Sequence, residues 1–139
     1  MAGYSATPLV KKLGLAPGMR VCAIGCDGYV GLVGAGDLDL ALQAKPGATT
    51  DLVHLFATRR HELEAGLPRL RRSLRPDAAL WVSWPKKISK VQTDIVEDTI
   101  REVALPLGFV DVKVCAVDGV WSGLKLVLRK ELRVAMRTR

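Results

Sequence analysis

From residue 20 to residue 25 the chain reads Arg-Val-Cys-Ala-Ile-Gly, an apolar run without polar alternation that stops at a glycine. Such a run suits a strand covered on both faces, the usual situation in a parallel sheet with helices on either side. Pro17-Gly18 marks the turn before it. Gly28, Gly31, Gly34 and Gly36 follow closely, with Asp27 beside the first of them. A buried strand running into a glycine-rich turn is where open α/β sheets hold nucleotide-like ligands. Gly25, Asp27, Gly28 and Gly31 are therefore the candidate cofactor loop, and the fold that carries such a loop is α/β.

The remainder continues the alternation. Thr7-Pro8 opens a short helix, with Thr7 as N-cap and Pro8 in the first helical position. Gly14 can end it. The glycines between residues 28 and 36 predict a weak helix, since each costs about 1 kcal/mol in a helix interior. Residues 38–43 form a weak second strand and residues 51–57 a third. Leu63, Leu67, Leu70 and Leu74 place a helix over residues 58–74, which Pro68 is expected to kink or split. Residues 79–83 form a fourth strand, closed by Trp84-Pro85. Asp94 with Glu97 predicts a capping box for a second long helix, with Val96, Ile100, Val103 and Leu107 on its buried face. Residues 110–117 and 124–128 are joined too tightly for a crossover, so they pair antiparallel. The expectation is one three-layer α/β/α Rossmann-like domain over residues 1–139, with a mainly parallel sheet of about six strands and an antiparallel C-terminal hairpin.

Composition narrows the class. At 49% apolar and only 5% aromatic residues, the core must be mostly aliphatic. No apolar run reaches the roughly 20 residues that span a bilayer, and the first residues lack a signal-peptide stretch. A cytoplasmic location and no membrane partner are expected. Cys22, Cys26 and Cys115 lack the spacing of a metal site and read as free thiols, with no metal expected. The net charge of +7, from 21 basic and 14 acidic residues, favours polyanionic partners.

Ligands of open α/β sheets sit beyond the carboxyl ends of the parallel strands. Strand register gathers residues 25–31, Arg59, Arg60, Trp84, Lys86 and Lys87 at that edge, with Lys90 close by. These define a candidate cationic crevice for a nucleotide or nucleic acid backbone. Trp84 can either stack on a base or pack inward. His54 lies within an apolar strand and reads as a hydrogen-bonded core histidine, and His61 as a surface residue. The tail from Arg129 to Arg139 is basic and frayed, or an extended edge strand on the alternation of Leu132, Val134 and Met136.

In order along the chain, residues 13–31, Asp51-Leu52-Val53-His54, residues 74–83 and residues 108–130 resemble class I S-adenosylmethionine-dependent methyltransferases. They match, in turn, that family's first strand and glycine loop, the start of the strand leading to its catalytic region, its proline turn and next strand, and its closing hairpin. The resemblance implies the fold and an S-adenosylmethionine site on the loop. The whole chain also resembles a family of small bacterial proteins known as a domain of unknown function, through Gly3-Tyr4-Ser5, Trp84-Pro85-Lys86-Lys87 and Trp121-Ser122-Gly123-Leu124-Lys125. Departures from the methyltransferase pattern set the functional expectation. Ala23 stands where that family has an acid, Asp27 where it has a glycine, and no clear acid follows the second strand. The expectation is a non-catalytic binding or interaction protein without a cofactor, taking an anionic ligand in its crevice. An active methyltransferase with an altered loop is one alternative. An oligomeric structural protein, associating through Val134 or Trp121, is the other.

Overall fold

A computed structural model describes residues 7–137, with side chains to residue 133. Gly3-Tyr4-Ser5, Arg139 and the side chains of Val134 and Met136 lie outside this description. Among the described residues, six strands form one sheet in the order β2-β1-β3-β4-β6-β5. They are β1 (Arg20–Ile24), β2 (Ala41–Leu42), β3 (Leu52–Phe56), β4 (Ala79–Pro85), β5 (Phe109–Ala116) and β6 (Trp121–Leu128). The first four run parallel, while β6 pairs antiparallel with both β4 and β5. Helices α1 (Leu9–Leu13) and α2 (Tyr29–Val33) pack on one face, and α3 (Arg60–Ser73) and α4 (Glu97–Ala104) on the other. The architecture is the expected mostly parallel, Rossmann-like sheet with a C-terminal hairpin.

Alternation along the strands divides the core in two. Cys22, Val53, Leu55, Leu80 and Val82 face α3 and α4, where Leu63, Leu67, Leu70 and Ile100 meet them. Val21, Leu52, Phe56 and Trp81 face α1 and α2 with Leu13, Tyr29 and Val33. Every residue of β3 is buried, which is why its sequence shows no polar alternation beyond His54. Each fully covered leucine contributes about 1.5–3 kcal/mol relative to exposure. Trp81 is wholly buried and its indole Nε1 donates to the Leu13 carbonyl at 2.9 Å, locking α1 onto the sheet.

The sheet is narrow on the β2 side. Dinucleotide-binding sheets place two strands outside the first, in the order 3-2-1-4. Here only the two-residue β2 lies there, and a loop returns directly to β3. Gln43, Gly47, Thr49 and Thr50 tie that loop to itself, with Thr50 Oγ1 donating to Gln43 Oε1 at 2.5 Å and Gln43 Nε2 to Thr49 Oγ1 at 3.0 Å. No helix of the described residues is long and apolar enough to cross a membrane.

Several expectations need correction. Pro68 does not split α3, which runs unbroken for 14 residues. The carbonyl deprived of its partner belongs to Glu64, an exposed residue that water can reach. Trp84 and Pro85 continue β4 instead of closing it. Asp94 does not cap α4. Its Oδ1 accepts from the Arg60 backbone N–H at 2.7 Å, so it caps α3, while Thr99 Oγ1 accepts from Val96 N–H at the start of α4. Beyond the hairpin the chain forms a helix, α5 (Lys130–Arg137), rather than an extended strand. Gly108, at φ +101°, leaves the space in which Leu132 of that helix seats.

Candidate functional site

In chain order β1 is followed by β2 on one side of it and by β3 on the other. That reversal makes the gap between the carboxyl ends of β1 and β3 the topological switch point, the place where such sheets open a crevice. Gly25 sits there at φ +81°. A Cβ at this position would lie 2.5 Å from the Phe56 carbonyl oxygen, so only glycine lets the two strand ends close together. The turn continues through Cys26 and Asp27 to Gly28, which adopts φ +69° at the N-terminus of α2. Gly25, Asp27, Gly28 and Gly31 are all exposed, and open space surrounds the Cβ positions of Gly28 and Gly31. Asp27 therefore does not plug the loop.

Beside this turn, on the α3 face, lies a mainly apolar groove of about 320 Å³. Ile24, Gly25, Leu55 and Phe56 form its floor, Pro46 of the short β2–β3 loop one lip, and Ala65, Gly66 and Arg69 of α3 the other. The groove exists because a short loop, rather than a helix, crosses this part of the sheet. Glu62 also lines it, but its carboxylate is engaged by the Thr58 and Arg59 backbone N–H groups at 2.9 Å each. Arg69 carries no ion pair among the described residues. Sequence reading missed this groove, whose signal was the brevity of the β2–β3 connection.

On the opposite face, the loop is anchored by a buried polar chain. Tyr29 Oη lies 2.8 Å from His54 Nδ1, and His54 Nε2 lies 2.7 Å from Ser83 Oγ. The imidazole stacks on Phe56 at 4.3 Å between ring centroids, and Trp121 meets Phe56 edge-on at 5.1 Å. Burial pulls the His54 pKa down to about 3 and pushes the Tyr29 phenol upward. His54 is thus a neutral core residue, as its sequence setting implied, and water does not reach it. Its partners were missed. Alternation puts His54, Trp81 and Ser83 on one face of β3 and β4, and that shared face was the available signal.

Of the anticipated cations, the structure assembles some and removes others. Arg60 binds Glu64 at 3.1 Å and Glu102 at 2.5 Å, which neutralises it. Trp84 is only 7% exposed, so it packs inward and offers no stacking face. Arg59, Lys86, Lys87 and Lys90 remain at the carboxyl edge without ion pairs among the described residues. Asp51 lies at the opposite end of β3. It receives the Arg20 backbone N–H at 2.7 Å and the Arg75 guanidinium at 2.7 Å, which together hold its pKa down at about 2. That aspartate braces the sheet and takes no part in the crevice. Trp121 is half-buried and folded over the sheet.

No family model matches the sequence, and no curated protein is similar to it. Solved structures do match its fold. A SAM-dependent methyltransferase from Aquifex aeolicus aligns with a TM-score of 0.62 at 17% identity, over 86% of this chain and 87% of the other. Magnesium protoporphyrin IX methyltransferase from Synechocystis PCC 6803, solved with bound SAM, aligns at 0.59 with 18% identity, over 87% and 74%. The ribosomal protein L11 methylase from Lactobacillus delbrueckii subsp. bulgaricus aligns at 0.56 with 15% identity, over 86% and 74%. The fold is that of the SAM-dependent methyltransferases. This likeness, with neighbours solved holding SAM, overturns the expectation that no cofactor belongs here. Asp27 stands in an exposed, open turn that it does not fill, and Ala23 lies before that turn, within β1.

Proposed function

We propose that the chain binds S-adenosylmethionine at the β1–β3 switch point and acts as a methyltransferase. The observation that carries this reading is the apolar groove opening directly at Gly25, between the glycine turn and α3. Its volume lies in the range of small-molecule clefts and its lining is mainly apolar. Ile24, Pro46 and Leu55 would hold the adenine by apolar contact, and the open backbone at Gly28 and Gly31 would admit the methionine end. Asp27 supplies a carboxylate on the same turn for that end's ammonium group. Gln43, which follows β2, is committed to Thr49 and Thr50, so ribose recognition falls to other groups. When bound, the cofactor supplies a sulfonium-activated methyl group. The chain's own residues then position and desolvate: the Tyr29–His54–Ser83 chain holds the start of α2 in register with β3 and β4, and the groove excludes water.

Isothermal titration with S-adenosylmethionine and S-adenosylhomocysteine tests the reading. Saturable one-to-one binding is expected. Ala65→Phe, on the exposed side of α3, fills the groove and should weaken binding at least tenfold without lowering the thermal midpoint by more than a few degrees. A wild-type chain that binds neither compound would overturn it.

A further inference from the structure

The turn after β4 does more than expose charge. Residues 84–93 read Trp-Pro-Lys-Lys-Ile-Ser-Lys-Val-Gln-Thr, without a single acid. Four arginines elsewhere, Arg20, Arg60, Arg75 and Arg101, are answered by ion pairs. Lys86, Lys87 and Lys90 are not. Their backbone is nevertheless firmly held. Lys86 N–H donates to the Val120 carbonyl at 2.7 Å, Ser89 Oγ donates to the Lys86 carbonyl at 2.6 Å, and Val91 N–H donates to Ser89 Oγ at 3.2 Å. Lys90 adopts φ +62°, the one non-glycine among the described residues with positive φ. A lysine pays a conformational cost there that glycine would avoid, and such strain gathers at working sites. Thr93 Oγ1 then donates to the Thr58 carbonyl at 2.6 Å, which ties this turn to the end of β3, where Arg59 is exposed.

We propose that this turn, with Arg59, is a docking site for the phosphate backbone of a polynucleotide. Four unpaired cations on two tethered loops suit a row of phosphates, and the exposed Gln92 adds a neutral hydrogen-bonding group among them. With Trp84 buried, the site offers no stacking ring, so recognition is through the backbone and tolerant of sequence. It adjoins the switch-point groove along the same sheet edge, which places a bound strand beside the methyl donor. That the polynucleotide is the methyl acceptor rests on the cofactor reading above; that it binds here does not.

The test is fluorescence anisotropy of a labelled RNA duplex of about 20 base pairs in low salt, with the log–log salt dependence of affinity measured alongside. Binding with a slope of about −2 to −4 is expected, matching the cations engaged. K86E/K87E/K90E should weaken binding at least tenfold, whereas the charge-matched K11E/K45E/K130E should change it less than threefold. Lys90→Gly relieves the strained backbone, so it should fold at least as stably while losing several-fold in affinity. Absence of wild-type binding, equal losses in the two triple variants, or displacement of the RNA by poly-glutamate as readily as by polyphosphate would each overturn the proposal. Titration of every protein with S-adenosylmethionine separates the two readings. Cofactor binding without RNA binding sinks this one alone, and the reverse sinks the cofactor reading alone.

Discussion

The two faces of the sheet are held by different means. Toward α3 and α4 the core is mostly aliphatic, with leucine, valine and isoleucine outnumbering Trp84 and Phe109, and it draws on two helices and five strands. Toward α1 and α2 the helices are five residues each, and the core there sets Tyr29, Phe56 and Trp81 among aliphatic residues, around a hydrogen-bonded histidine. The first face draws its stability from area, which is forgiving of exact geometry. The second depends on a few directional bonds that fix where the glycine turn stands relative to β4. The candidate cofactor groove opens at the seam, where Phe56 stacks on His54 through its ring and meets Gly25 through its carbonyl.

Substitutions on each face can break this contrast, beginning where the loss should be greatest. Leu67→Ala on the aliphatic face should cost about 2–5 kcal/mol by denaturant unfolding, since the side chain is fully buried. The polar face should respond to acid instead. His54 stays neutral down to about pH 3 when folded, whereas an unfolded imidazole binds a proton below about pH 6.5. The unfolded state therefore takes up more protons between these limits, and stability should fall as pH drops, by about 1.4 kcal/mol per unit. That gives about 2 kcal/mol between pH 7 and pH 5. In His54→Phe this slope should disappear, although the variant starts less stable because Tyr29 and Ser83 lose their partner. Persistence of the same slope would show that other groups produce it.

Asp51 supplies a third effect in a separate window. Its folded pKa is depressed, so its contribution is complete above the unfolded value near 4 and is lost as pH falls through about 2. Asp51→Asn should cost about 1–2 kcal/mol at neutral pH, allowing for solvent around Arg20, with the deficit closing in strong acid. Tyr29→Phe should be mildest, about 1 kcal/mol, because His54 keeps its bond to Ser83. Its larger consequence should be weaker S-adenosylmethionine binding by calorimetry, as the start of α2 loses its tether. Unchanged affinity would uncouple the aromatic face from the groove.

What the sequence disclosed were features written into contiguous residues. The apolar run of β1, the glycine turn, β3 and the closing hairpin each carry a local signature of period, turn chemistry or length. The misreadings concern residues whose partners are remote in sequence. Asp94 has the right neighbours to cap α4, yet the fold brings the Arg60 N–H to it first. Leu132 and Met136 also stand four apart, a helical spacing, and docking of Leu132 over Gly108 favours that form. Arg60 looked free until folding set Glu102 against it. At the site itself, the loop was legible from its glycines. The groove was not, because its one signal was the shortness of the β2–β3 connection rather than any residue type along it.

The far rim of the sheet has its own consequence. Strand β5 slips register between Asp111 and Lys113, leaving Val112 unpaired and more than half exposed, while Lys113 Nζ donates to the Lys12 carbonyl at 2.8 Å. A neighbouring molecule seeking to extend the sheet meets a kinked ladder with a lysine folded across it, so this border discourages fibrous self-assembly without any covering element.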